Sequence, residues 1–595
     1  MTGAYRWRWW FPCSRDLLWP HVSDTDSMNR QAGLPPVNYE YQPLVEGGSR
    51  TRASIRYGPV RVEWFEPAFE WTAPQSYAIE RHYVSGPLRV FKSRTVLLEE
   101  LQGTAVEMNV EMQARNLLGA MALPVLAQIG RRGADRALRS AFRQTQKAKP
   151  EPTSVPRLFG REQLRAAGFG TQLLDKLARF ADDSDDRDLA KIRAYEVADK
   201  WVESRQTVLR LFLHATRVGI FNLSWDVLCP SCRGTKQSVD TLSKLGPAVH
   251  CDACNIQFGP QFDRSVEVTF NAHPLGKGVE TPTYCLAGPH MSRYVAAQVP
   301  VAAHGASDMS VRVLPGHYAA NALALSQQAF EVRSGAPVQP LHVQLGARGV
   351  LDIPPVIAGE LLQMQIENTL DHELLFRIER LEWPDTIVTA ADITAMQEFR
   401  SLFSSEVLAP GLQLSIRQMS VLFTDLVGST ELYSKTGDAP AFRLVTDHFE
   451  QLREVIARYD GAIVKTIGDA VMAVFRDSGQ CLEAALRLPA AVGSVLSETA
   501  ALVLRVGFHS GPCIAMQANG RLDYFGTTVN LASRLEHEAG PSEVAFSAAT
   551  GTFPHLEAVI QKYSLQPRRE RAVIKGFAEP VGVLKVPAFK ASPTG

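Results

Sequence analysis

The chain has 595 residues, 45% hydrophobic and 21% charged, with 62 basic residues set against 62 acidic ones. These are globular proportions, which exclude a disordered or fibrous protein, and at roughly 150 residues per domain the length implies about four domains. The balanced charge offers no overall field for nucleic acid or anionic lipid, and no apolar run reaches the roughly 18 residues of a membrane span. The longest such run, Leu117 to Ile129, contains Pro124 and reads as a buried helix. The opening YRWRWWF is not followed by an apolar core and a small-residue cleavage site, so no secretory signal is expected. Eight cysteines are too few for a disulfide scaffold. A soluble, multidomain, cytoplasmic protein is the expectation.

From about residue 50 to 115 the pattern is strand after strand. Val106, Met108, Val110 and Met112 alternate with Glu107, Asn109, Glu111 and Gln113, and Val60, Val62 and Trp64 alternate with Arg61 and Glu63. A period of two gives each strand one buried and one wet face. An apolar and then Arg-rich helix follows, from about Leu117 to Lys147. Hairpins closed by one long helix resemble the helix-grip fold of START-like domains, which implies a lipid or other hydrophobic ligand for residues 1–148. The stretch 131–150 holds seven basic residues and one acidic residue. It reads as a solvated helix face, with a surface for membrane phosphates or nucleic acid as the alternative.

QTQKAKPEPTSVPR reads as a linker, since its prolines cannot continue a helix. Residues 149–226 form a small helical unit, with apolar residues at i, i+3 and i+4 and an acidic run at 182–188. Within 227–262, Cys229 and Cys232 are followed eighteen residues later by Cys251 and Cys254. The spacing C-x2-C-x18-C-x2-C supplies four soft ligands at tetrahedral distance and predicts a zinc ribbon with one structural Zn²⁺. His250 is a bystander, because four thiolates fill the coordination sphere. Arg233, Lys236 and Lys244 stand against Asp240 and Asp252, too little positive charge for a nucleic-acid surface. Short alternating runs in 263–388 (Val266, Val268, Phe270; Leu362, Met364, Ile366) predict a β-sandwich. In 389–414, Thr389 is the expected N-cap of one connecting helix with an apolar stripe of Ile393, Met396, Phe399, Leu402 and Phe403.

The chemistry concentrates after residue 415. SVLFTD is an apolar strand ending in Asp425, followed by LVGST and a helix. Such a turn offers backbone N–H groups to phosphate oxygens, here through Gly428, Ser429 and Thr430, while the strand-end carboxylate suits a divalent cation. In AIVKTIGDAVMAVF two strands, 463–467 and 471–475, pivot on Gly468 and Asp469. Asp425 and Asp469 at adjacent strand ends match the carboxylate pair that bridges two Mg²⁺ ions in phosphoryl and nucleotidyl transfer.

FTDLVGST, IVKTIGDAVMAVF, GFHSGPC and LDYFGTTVNLASRLE, in this order, resemble the catalytic domain of class III nucleotidyl cyclases, over residues 415–590. The segments 205–270 and 355–410 resemble a region attached upstream of such bacterial enzymes. The resemblance implies an α+β, ferredoxin-like domain working as a head-to-tail homodimer. Asp425 and Asp469 then correspond to the metal-binding aspartates for two Mg²⁺ or Mn²⁺ ions, with the backbone carbonyl of Leu426 completing one shell. Asn530 and Arg534 match the pair that orients the ribose and contacts the α-phosphate, and their spacing puts both on one helix face. Lys575 matches the lysine that grips the terminal phosphates.

Lys465 and Asp523 occupy the positions that read the purine edge. Adenine offers an acceptor at N1 and a donor at its 6-amino group, which a lysine donor and an aspartate acceptor complement. Guanine reverses both, at about 1–3 kcal/mol per unpaired group. The brief CIAMQANGR stretch matches the shorter-armed bacterial branch, and His509 and Cys513 read as strand core. No GxxxxGK[ST] occurs, so a P-loop is not expected. The reading is an adenylate cyclase regulated by its N-terminal domains, with a guanylate cyclase or a silent nucleotide sensor as the alternatives.

Overall fold

The structure is a computed structural model. It describes residues 1–43, 49–146, 158–272, 283–286, 288–322, 325–336, 340–428, 434, 437–493 and 503–590. The first strand (Thr2–Phe11) pairs antiparallel with Gly103–Ala114, which pairs with Leu88–Glu100 and then Ser76–Tyr83. Helix α1 (Leu117–Thr145) lies across this sheet. Leu88, Val110, Met112, Leu123 and Ala127 form one cluster beneath it, with Tyr5 and Trp7 packed alongside. Phe11, Val106, Leu138 and Ala141 form another, with Trp9 and Phe142 packed alongside. The side chains of the opposite sheet face border a cleft of about 910 Å³ that is charged, with Arg6, Glu80, Lys92, Arg94 and Glu111 in its wall.

Residues 117–129 are helical as expected, but only one side of them is buried. Gly119, Leu123 and Ala127 face the sheet, while Leu117, Met121, Val125 and Ile129 face outward. The apolar run covers both faces of the helix, and the sheet has room for one.

The N-terminal sheet does not stop at its own segment. The short strand Glu70–Thr72 pairs with Val295–Val301, which pairs with Leu374–Arg380, so one 13-stranded sheet runs through both regions. A four-stranded sheet lies against the far part of it, around an apolar cluster that includes Val299, Val311, Phe330, Leu345, Ile366 and Phe376. Between the two regions, five helices spanning 161–217 pack on a three-stranded sheet containing β1 (Phe221–Leu228) and β2 (Val266–Ala272).

The connecting segment forms two short helices, α2 (Ala390–Thr394) and α3 (Gln397–Leu402). Thr389 caps the first in a reciprocal capping box with Asp392, but Met396 is extended and splits the expected single helix. Arg400 donates through Nε to the Thr394 carbonyl at 2.8 Å, and the Tyr524 hydroxyl donates to Thr394 Oγ1 at 3.0 Å. The side chains of Arg400 and Tyr524 thus tie this break to the sheet beyond it.

The C-terminal part has β3 (Gln413–Val427), α4 (Asp438–Arg458), β4 (Ala462–Ile467), β5 (Ala470–Phe475), α5 (Ser478–Gly493) and β6 (Val503–Ala518). The spatial order β4-β5-β3-β6 with antiparallel neighbours is the ferredoxin-like arrangement. The chain continues with β7 (Arg521–Phe525), α6 (Thr527–Glu538), β8 (Glu543–Ser547), α7 (Pro554–Lys562), β9 (Arg568–Ala572) and β10 (Val581–Pro587). One sheet face, including Leu422, Val471, Phe475, Val506 and Phe508, packs on Leu452 and Ile456 of α4 and Leu482 and Leu486 of α5. On the other face, Val421, Phe423, Met472, Val474 and Leu522 share a continuous cluster with Phe399 of α3, Trp225 of β1 and Phe212 of the helical region.

Candidate active site

β3 is apolar on both faces because helices cover one and the connecting segment covers the other, which explains the unbroken run before Asp425. The strand extends two residues beyond Asp425, since β6 pairs with it to Val427. Leu426 is buried in the helix-covered core. Gly428 has φ +78°, and no described residue beyond its chain neighbours lies within 4 Å of the position a Cβ would take. Ser429 and Thr430 lie outside the described residues.

β4 and β5 form the expected hairpin, with Gly468 at φ +64° in its turn. Thr424 pairs with Val471, so Asp425 near the end of β3 and Asp469 in the hairpin turn lie at the same end of the sheet. Oδ2 of Asp469 is buried with no hydrogen-bond partner among the described residues. A buried carboxylate oxygen left unpaired is costly, and a cation shared with Asp425 would satisfy it. The oxygen-rich pair therefore fits a hard divalent ion such as Mg²⁺ or Mn²⁺.

Three residues that the motifs did not single out, Arg505, Glu536 and His448, complete this corner. Arg505 sits directly across from Asp425 in the β3–β6 register and donates to its Oδ2 through Nε at 3.1 Å and a terminal nitrogen at 2.6 Å. The same guanidinium is ion-paired with Glu536 of α6. Burial raises the Glu536 carboxyl pKa against the opposing pull of Arg505. Arg505 lies two residues before the GFHSGPC motif, and only strand register reveals it as the partner of Asp425. His448 of α4 is fully buried nearby. Burial lowers its pKa, while the Asp469 charge acts in the opposite direction.

Lys465 of β4 donates from Nζ to Oδ2 of Asp523 in β7 at 2.5 Å, and its ammonium lies 5.5 Å from the Phe525 ring centroid. The other Asp523 oxygen accepts from the Tyr524 N–H at 2.8 Å. The two residues are 58 positions apart in sequence, and the sheet brings them into contact. Asn530 and Arg534 are both exposed, one turn apart on α6. Neither side chain has a hydrogen bond or ion pair to another described residue. Lys575 is exposed in a turn held against α6, because its neighbour Ile574 packs with Leu531 and Leu535.

His509 and Cys513 are structural. His509 Nδ1 lies 2.7 Å from Ser547 Oγ, and burial depresses its pKa to about 4. Burial pushes the Cys513 thiol up to about 12.

Far from this corner, Cys229, Cys232, Cys251 and Cys254 converge with all four sulfurs within 4.8 Å of one another. The Cys232 and Cys251 sulfurs are 3.8 Å apart, which matches the edge of a tetrahedron with metal–sulfur bonds of about 2.3 Å. A hydrogen bond from Cys229 holds the Cys232 thiol down to about 7, whereas hydrogen bonding within the cluster raises the other three to about 12. The donor set fits a soft divalent ion. His250 stands outside it, exposed and 3.5 Å from Asp252.

Residues 413–583 match the family described as the adenylate and guanylate cyclase catalytic domain, and residues 161–282 match a family of unknown function (DUF5939). The C-terminal part of the chain therefore carries a catalytic domain of the adenylate and guanylate cyclase family, whose members are lyases. Guanylate cyclase 32E of Drosophila melanogaster is 35% identical over 146 residues, covering 22% of this chain and 13% of its own length. An adenylate cyclase of Streptomyces coelicolor is 35% identical over 133 residues, covering 22% of this chain and 33% of its own. The adenylyl cyclase CyaB from P. aeruginosa is a solved structure with 25% identity and a TM-score of 0.26, covering 31% of this chain and all of that one. The chain thus spans a third or less of the two curated relatives. No helix among the described residues is long and apolar enough to cross a membrane.

Proposed function

We propose that this protein is an adenylate cyclase that converts ATP into 3′,5′-cyclic AMP and pyrophosphate. The observation that carries the reading is the Lys465–Asp523 pair, an ammonium donor and a carboxylate acceptor 2.5 Å apart. Separated by a purine edge, they complement adenine: Lys465 donates to N1 and Asp523 accepts from the 6-amino group. Asn530 orients the ribose and Arg534 meets the α-phosphate. Lys575 is assigned to the terminal phosphates, and a cation on Asp425 would compete with Arg505, which keeps its ion pair with Glu536. Gly428 opens the turn after β3 to phosphate oxygens, and Ser429 and Thr430 belong to the same proposed loop. Two Mg²⁺ or Mn²⁺ ions on Asp425 and Asp469, with the Leu426 carbonyl as a further ligand, would supply the charge that activates the ribose 3′-oxygen and offsets the pyrophosphate. No side chain is assigned as a dedicated base.

Asn530 and Arg534 face outward with no hydrogen-bond or ion-pair partner among the described residues, which supports a homodimer in which they complete the site of the other protomer. The N-terminal region is the regulator, acting through the cluster that joins Phe212 and Trp225 to Phe399 and the catalytic sheet. Its START-like first unit is part of this proposal, as is a structural Zn²⁺ on the four thiolates, which suits a reducing, cytoplasmic setting.

A guanylate cyclase is the second reading, because the fly guanylate cyclase and the bacterial adenylate cyclase match at the same 35% identity. Incubating the purified protein with ATP or GTP, with Mg²⁺ or Mn²⁺, and measuring cyclic nucleotide separates the two readings, and a silent nucleotide sensor would yield neither product. In the adenylate cyclase, Lys465→Glu with Asp523→Cys lowers ATP turnover and raises relative GTP turnover. An unchanged ATP preference in that double variant would overturn the assignment of the purine-reading pair.

A further inference from the structure

Helix α1 packs a stripe including Leu123, Ala127, Ala137, Leu138 and Ala141 against the N-terminal sheet. A helix on a globular surface ordinarily turns polar residues to water. The first half of α1 does not. Residues 117–130 contain no charged side chain. Leu117, Leu118, Met121, Val125 and Ile129 are 71, 78, 79, 61 and 61% exposed. Four of them recur every fourth residue and so form one continuous outward ridge.

The second half of the same helix changes character abruptly. Arg131, Arg132, Arg136, Arg139 and Arg143 are all exposed, against the single acid Asp135. Asp135 is already engaged, accepting from Trp9 Nε1 and Arg139 Nε, both at 3.0 Å. Arg131 and Arg132 have no ion pair with any described residue. A bare apolar ridge running into a cluster of arginines is the composition of a helix that lies in a membrane interface. Crossing is excluded for α1, which lacks an apolar window of spanning length.

We propose that the outer face of α1 docks on an anionic lipid surface, its apolar half in the boundary between headgroups and acyl chains and its arginines on lipid phosphates. Charge complementarity selects this occupant over a second copy of the chain. Another copy presents the same arginines on this face and no acidic strip to meet them, whereas anionic lipid satisfies both halves.

The test uses the full chain and sedimentation with vesicles of phosphatidylcholine containing about 30 mol % phosphatidylserine, compared with pure phosphatidylcholine. The protein is expected to sediment with the anionic vesicles and to be released by salt. Met121→Asp with Val125→Asp should abolish binding. Arg131→Gln with Arg132→Gln should weaken it by about 30-fold at low salt, the product of two lysine- or arginine-sized contributions. Both pairs are on the surface, so the thermal unfolding midpoint should stay unchanged and verify folding. Failure of the wild type to bind anionic vesicles, or undiminished binding by both variant pairs, would overturn the proposal. So would self-association in the absence of lipid that the Met121 and Val125 variant abolishes, which would assign this face to a second copy.

Discussion

The catalytic region and the N-terminal region are built by opposite strategies. In 413–590 local devices present part of the site, a hairpin turn carrying Asp469 and one helical turn spacing Asn530 and Arg534, and a single compact sheet brings Lys465 to Asp523 across 58 positions. In the N-terminal region the frame is assembled from distant segments. Trp71 Nε1 donates to the Val295 carbonyl across 224 positions, and Gln298 donates from Nε2 to the Phe69 carbonyl across 229. Asp26 accepts from the backbone N–H groups of Tyr284 and Cys285. The first region therefore carries its function in motifs. The second is one interlocked body, and removing residues 1–148 would leave Val295–Val301 without its Glu70–Thr72 neighbour.

In the catalytic region, activity can be lost without loss of fold. Asp425→Ala and Asn530→Ala should each lower cyclase activity by more than about 100-fold while leaving the unfolding midpoint of the N-terminal region in place. Mixed and allowed to exchange subunits, the two inactive proteins should recover about a quarter of wild-type activity, because half the dimers are mixed and hold one intact site of two. No recovery after exchange is verified by size analysis would place the whole site within one chain.

In the N-terminal region the largest effect is expected from Cys232→Ser. It should cost more than about 5 kcal/mol of N-terminal stability and release the bound metal, since a structural metal's binding energy is folding energy. Elemental analysis should find one zinc per chain in the wild type, and the side chains at Asp425 and Asp469 are left unaltered.

Within the catalytic region, His509 sets a pH limit. Its pKa falls from 6.5 to about 4 on burial, so below pH 6.5 the unfolded chain takes up a proton that the folded chain refuses. Stability should fall as pH drops from about 6.5 toward 4, by up to about 3 kcal/mol from this residue. Urea unfolding of His509→Asn across that window should show a flatter profile. The smallest effect is at the junction of the regions. Thr389→Ala removes the capping box of α2 and should cost about 1 kcal/mol, measured as a shift in the urea midpoint.

The candidate site was legible where spacing alone dictates neighbourhood. The β4–β5 hairpin followed from two apolar runs about Gly468 and Asp469, and the thiol cluster followed from two close cysteine pairs. Arg505 was not legible, because its link to Asp425 depends on the β3–β6 register, which no local pattern encodes. The single helix expected after Thr389 failed for a related reason. Its apolar stripe is real, with Ile393 and Phe399 buried, but the Arg400 side chain takes the Thr394 carbonyl that a continuing helix would pair with a backbone N–H, and the Tyr524 hydroxyl holds the Thr394 side chain at the break.

What the sequence determined by itself was the chemistry: which carboxylates, cations and thiols exist, and which of them local geometry forces together. Periodicity also determined that α1 is a helix with an apolar first half. Only the tertiary structure decided which side of that half is covered, because the N-terminal sheet has one face to offer and leaves Met121 and Val125 in the open. Only the tertiary structure joined strands from 70–72 and 295–301 into one sheet and sealed the catalytic sheet with Phe399 and Trp225. Burial and strand pairing are settled by what lies across a contact, and the residues across these contacts are far away in the chain.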